Sequence, residues 1–339
     1  MYFIMRRSRL WRPQITIPVF TLAAGILIGW GFAERMEAPT NIVTDSAVRI
    51  TGKYKLVSPL LVCSSAQASD YDPDLALQNK IEAQIRAAEG AGQATDVSVY
   101  FRGFSGHWVG VNDDDQYAPA SLLKVPIMIA YFKESENVPG LLSKQLTYDG
   151  STDANSAEVF KSAYDLKPGT YTISQLIQAM IEYSDNNAAM LLYNNMDPAW
   201  LSEVYTDLGL SVQPGGTATA EDITAKQYSY FFRILYNATY LTPEDSETAL
   251  EYLTNSDFPQ GIQSSVPQNT PVASKFGERT VLDTSGNVVE RELHDCGLIY
   301  LGSKNYVVCI MTKGKDFNAL TSVIQSISKT VYDAVVSTN

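Results

Sequence analysis

The strand-like and helix-like stretches of this chain are segregated, and that limits the fold more than any single residue does. Val97, Val99 and Phe101 alternate with polar positions, the period of a half-buried strand, and residues 107–111 read as the second strand of a hairpin with it. Within the folded body the further strands are predicted near the C-terminus, at 272–275, 293–301 and 306–312, before a long closing helix at 317–336. An early helix is predicted at 75–91, where Leu77, Ile81, Ile85 and Ala88 recur every three or four residues. The middle is helical at 122–132, 173–183, 187–195, 198–208, 221–236 and 243–255, with Thr172 as a cap and an irregular polar stretch at 137–170. Strands from opposite chain ends must pair across the helical middle. The expectation is therefore an α+β fold: an antiparallel sheet from both ends, packed with helices, with an all-helical lobe inserted.

Four segments follow along the chain. Residues 1–14 form a basic segment, 15–32 an uncharged and mostly apolar run, 33–73 a linker with a short strand at 53–63, and 74–339 the folded body. The run of 18 residues is about the minimum for crossing a bilayer. Arg6, Arg7, Arg9 and Arg12 precede it and by the positive-inside rule stay cytoplasmic. An uncleaved anchor with an extracytoplasmic body is expected; a cleaved signal peptide, cut near Gly31-Phe32-Ala33, is the rival. The net charge is −12, and the first 32 residues hold +4, so the rest carries −16. Such a body repels nucleic acid, which is excluded as a partner. Cys296 and Cys309 fall on neighbouring predicted strands and could approach each other, but with Cys63 the odd count favours buried free thiols.

Three polar clusters carry the chemistry. Ser121-Leu122-Leu123-Lys124 opens an apolar helix, putting the serine at the positive helix end and the lysine one turn on, on the same face. Desolvation lowers the pKa of a buried amine, so Lys124 could take the proton of Ser121, provided that the two lie within ~2.6–3.2 Å, or somewhat farther apart without ligand. A second such spacing, Ser326 to Lys329 in the closing helix, is assigned no function. Ser184-Asp185-Asn186 lies between two helices, where Ser184 could relay a proton to a leaving amine and Asn186 could donate to a substrate amide. Lys275-Phe276-Gly277 ends a strand; its lysine could anchor a carboxylate, and Gly277 lets backbone approach closely. A histidine triad is disfavoured, because His294 and Asp295 are strand neighbours that point to opposite faces.

Together the clusters resemble the signature set of class A β-lactamases and penicillin-binding proteins. The resemblance covers about residues 75–339, in the right order. Residues 172–176 through 183–189 look like the helix bearing the second motif, 218–235 like the helix after the omega loop, and 294–300 like the following strand. It implies Ser121 as acylated nucleophile, Lys124 as its base and Ser184 as proton relay. It also implies Asn186 as substrate-orienting amide and Lys275 as carboxylate anchor, with Gly277 beside it. The backbone N–H groups of Ser121 and Glu278 would form the oxyanion hole, worth ~3 kcal/mol per donor. No cofactor or metal is implied, and a monomer is expected.

Two departures stand out. Phe276 replaces the family's Thr or Ser, removing a hydroxyl and changing the pocket's shape. The omega-loop glutamate that directs the deacylating water has no counterpart: Asp197, Glu203 and Asp207 fall in or beside a predicted helix, and Glu221 is only a weak substitute. Losing a general base costs ~10²–10⁴-fold in rate, so slow deacylation is expected. The expected function is acyl transfer on a β-lactam or a peptidoglycan stem peptide. The alternative is a non-catalytic module that binds peptidoglycan or a partner protein with a degenerate fold.

Overall fold

The computed structural model describes residues 48–50, 52–62, 73–104, 106–210 and 222–337. These all belong to one compact unit, Ala47–Asn339. The apolar run at 15–32, Cys63 and Glu221 lie outside the described residues. Among the described residues no helix is long and apolar enough to cross a membrane.

In chain order the strands are β1 (Val48–Arg49), β2 (Leu60–Val62), β3 (Asp96–Gly103), β4 (Trp108–Val111), β5 (Gln116–Tyr117), β6 (Gln145–Tyr148), β7 (Gly169–Thr172), β8 (Ile223–Thr224), β9 (Val272–Leu282), β10 (Val288–Ile299) and β11 (Tyr306–Gly314). The helices are α1 (Leu75–Gly90), α2 (Lys124–Ser135), α3 (Ile173–Glu182), α4 (Asn186–Asn194), α5 (Pro198–Asp207), α6 (Ala225–Asn237), α7 (Pro243–Thr254) and α8 (Phe317–Ser337).

The main sheet has the order β4-β3-β11-β10-β9, antiparallel throughout, so strands from both chain ends pair as expected. Alternation along the strands divides the core between the two faces. On one face Val97, Val99, Phe101, Val308 and Ile310 meet Leu77, Ile81 and Ile85 of α1 and Leu320, Ile324 and Ile327 of α8. On the other, Tyr100, Leu298 and Met311 meet Phe231, Phe232 and Leu235 of α6 and, through them, the helical lobe. The lobe's helices start where the sequence supplies caps: reciprocal side-chain–backbone pairs of Thr172 with Gln175 and Thr224 with Gln227, and Asp185 accepting from Ala188 N.

Four local expectations change. Residues 137–170 are not all irregular, since β6 and β7 pair as a hairpin with a long intervening segment. The strand expected at 53–63 is confined to β2, paired with β1; just before it, the Glu247 carboxylate of α7 accepts the backbone N–H groups of Lys55, Leu56 and Val57. Ser121 lies not on the α-helix but in a 3-10 turn, Ala120–Leu123, that leads into α2. Cys296 and Cys309, expected as free thiols, form a disulfide: the β10–β11 register sets them directly opposite, on one face.

Candidate active site

The three motifs converge at the junction of the lobe and the outermost strand, β9. The turn bearing Ser121 rests on β9 at Gly277. A Cβ there would lie 2.7 Å from the Pro119 carbonyl oxygen and 3.1 Å from the Leu122 side chain, so only glycine admits this approach. The stretch before the turn is clamped from the sheet: Ala118 N donates to Glu292 Oε2 at 3.1 Å, and Ala118 O is 3.1 Å from His294 Nε2. Thr312 N donates to His294 Nδ1, which leaves Nε2 to carry the proton to Ala118. His294 is thus a buried brace for the nucleophile turn, and Asp295 faces away and accepts from Ile262 N. Ala120 and Ser184 both have positive φ, 49° and 56°. Such backbone conformations are uncommon without glycine and cluster at functional sites.

Lys124 is 4% exposed. Its ammonium donates to Ser184 Oγ at 3.0 Å, to Asn186 Oδ1 at 2.6 Å and, in a short contact, to the Ser184 carbonyl. Burial pushes its pKa down to about 8, against the opposing pull of Glu158, Asp185 and Glu278. Lys275 is fully buried and donates to the same Ser184 Oγ at 2.9 Å and to Phe276 O at 3.1 Å. Burial first, and the Lys124 charge second, hold its pKa well below the ordinary value. One hydroxyl therefore bridges two amines whose pKa values burial lowers, an arrangement that suits a proton relay.

Two expectations fail in detail. Among the described residues none hydrogen-bonds the Ser121 hydroxyl; the Lys124 donors are all directed at Ser184 and Asn186. The direct Ser121–Lys124 contact is therefore not made in this conformation. Nor is the Asn186 amide free to donate to a substrate: its Nδ2 is bound to Glu158 Oε1 at 2.8 Å and to Ala154 O at 3.3 Å.

Phe276 does not jut into the cleft. It is 5% exposed, its ring stacks on Phe258 at 4.1 Å and 14°, and Phe160 meets it edge-on at 6.2 Å. The Glu278 side chain turns to the same segment and accepts from Val159 N and Phe160 N, both at 2.9 Å. Sequence reasoning missed this segment and with it Glu158. A single glutamate in an aperiodic stretch carries no signal, and only the β6–β7 hairpin brings it to the site.

The sequence pattern of the beta-lactamase enzyme family matches residues 77–335. Among curated proteins none matches by sequence. Solved structures share the fold. A mutant of PBP-A, in an acyl-enzyme complex with penicillin G, is 19% identical over 78% of this chain and 97% of its own, with a TM-score of 0.65. The class A beta-lactamase from Mycobacterium abscessus is 21% identical over 77% and 100%, with a TM-score of 0.62. The TLA-3 extended-spectrum beta-lactamase is 19% identical over 77% and 99%, with a TM-score of 0.66. A match that spans most of the chain shows that the chain belongs to the beta-lactamase enzyme family, as a serine β-lactamase-like hydrolase on the fold that the class A enzymes share.

Proposed function

We propose that the protein transfers the acyl group of a β-lactam, or of a peptidoglycan stem-peptide amide, to Ser121 and then slowly to water. The observation that carries this reading is the array Lys124–Ser184–Lys275, in which two desolvated amines share one hydroxyl one turn from a half-exposed serine. On this reading Ser121 Oγ swings to the Lys124 amine as the substrate enters. Catalytic hydrogen bonds are often long before substrate binds. Neutral Lys124 takes the serine proton, Oγ attacks the carbonyl carbon, and the carbonyl oxygen is held by the N–H groups of Ser121 and Glu278. Ser184 passes a proton to the departing nitrogen and is resupplied by Lys124. Lys275, implied by the resemblance as the anchor of a substrate carboxylate, is fully buried here and donates to Ser184 Oγ and Phe276 O, so on this reading it supports the relay hydroxyl. β9 is an edge of the sheet, with one side unpaired by any other strand of it, which suits addition of an extended peptide or its lactam mimic.

The apolar run at 15–32 behind four arginines supports a membrane-anchored, extracytoplasmic body, and the Cys296–Cys309 disulfide suits an oxidising compartment. Fluorescent penicillin tests the activity. Covalent labelling that S121A abolishes is expected. A native protein that never labels would favour the non-catalytic module, which the occupied Asn186 amide already partly suits.

A further inference from the structure

The segment between β6 and β7 crosses the front of the site and is fastened on both sides of Glu158. Before it, Asn155 Oδ1 accepts from Asn186 N at 2.7 Å, and Asn155 Nδ2 donates to Asp185 Oδ2 at 2.8 Å and Asp165 Oδ1 at 2.9 Å. Ala154 N donates to Asn187 Oδ1 at 2.7 Å. After it, Val159 N and Phe160 N are held by Glu278, and the Phe160 ring sits edge-on to Phe258, Phe276 and Phe317 at 5.2, 6.2 and 5.4 Å. Glu158 is therefore mounted firmly. Its Oε1 accepts from Asn186 Nδ2 at 2.8 Å, and the other face of that amide accepts from Lys124 Nζ. Among the described residues none hydrogen-bonds Oε2. One oxygen is thus fixed, while the other makes no hydrogen bond to the described residues.

We propose that Glu158 is the base of the second half-reaction, taking the proton from the water that hydrolyses the Ser121 ester. The water oxygen bonds to the acyl carbon as Glu158 Oε2 removes its proton. The tetrahedral adduct then collapses, the bond from carbon to Ser121 Oγ breaks, and the acid departs. The proton passes from Glu158 to the Lys124 amine and from there to the departing Oγ, which restores both groups. This rests on the acyl-transfer reading above and supplies, from a different part of the chain, the carboxylate whose expected position is empty of acids in sequence. The charged groups facing Glu158 are Lys124 of the helical lobe, Lys275 and Glu278 of β9, and Asp185 of the α3–α4 turn. Burial, opposed by the Lys124 charge, pushes the Glu158 pKa up to about 7, so the ionised base accumulates as pH rises through that value.

The test follows the Ser121 adduct of benzylpenicillin on the full chain by stopped flow and intact-mass spectrometry. The E158Q variant keeps an oxygen for Asn186 but has no basic oxygen. It should still form the adduct, with a lifetime roughly 10²-fold longer. Wild-type deacylation should rise with pH through about 7, and E158Q should lose that rise. Adduct loss from E158Q at the wild-type rate, or wild-type deacylation flat across that range, overturns the role of Glu158 and leaves acylation standing. A wild-type chain that forms no adduct overturns the acyl-transfer reading itself.

Discussion

The site has two walls of different origin. One is built from short motifs on regular elements: the turn before α2, the α3–α4 junction and β9 supply Ser121, Lys124, Ser184, Asn186 and Lys275. The other is an aperiodic segment, 153–166, whose side chains reach the site through long-range mounts. Phe276 joins them. As a missing hydroxyl it looks like damage to the first wall, yet its ring, stacked on Phe258, is part of the seat of Phe160 in the second. A departure from a family pattern is thus better read from what the new side chain holds than from what the old one lacked.

The largest expected effect tests the first wall alone. K124M removes the amine placed one turn from Ser121 and should slow acylation by ~10²–10⁴-fold without loss of fold, measured by stopped flow with benzylpenicillin. In the native protein only the neutral amine can act as base, and its fraction grows as pH rises. Acylation should therefore climb with pH through about 8 and level off above it.

The seat shared by both walls comes next. F276A removes a buried ring from a stacked pair and should destabilise the protein by ~3–5 kcal/mol in denaturant unfolding. If Phe276 only blocked a pocket, stability would hardly change and acylation would quicken. The smallest effect isolates the second wall. N155A unties Asn186 N and Asp185 from the segment and should cost ~1–3 kcal/mol, read by the same unfolding curves. It should also loosen Glu158, so deacylation should suffer more than acylation.

The split between the walls also explains what could be read from the sequence. Period-two stretches at both ends and capped helices between them implied the antiparallel sheet with a helical lobe, because local periodicity reports burial directly. Ser121, Lys124, Ser184 and Lys275 were visible because their spacing is local and their elements are regular. The β6–β7 hairpin was hidden: β6 alternates polar and apolar residues over only four positions, none of them fully buried, too short a run to stand out from its polar surroundings. Glu158 followed it out of sight, since its place depends on Asn155 and Phe160 finding partners many residues away. The disulfide was within reach of the strand assignment but turned on exact register, which one residue of slip would have undone.

The claim beneath all of this is that the Ser121 hydroxyl becomes esterified. Peptide mapping after brief exposure of the full chain to benzylpenicillin tests it most directly. The account predicts a single penicilloyl group on the peptide containing Ser121, absent from S121A. An adduct on another residue, or one that persists in S121A, would contradict it.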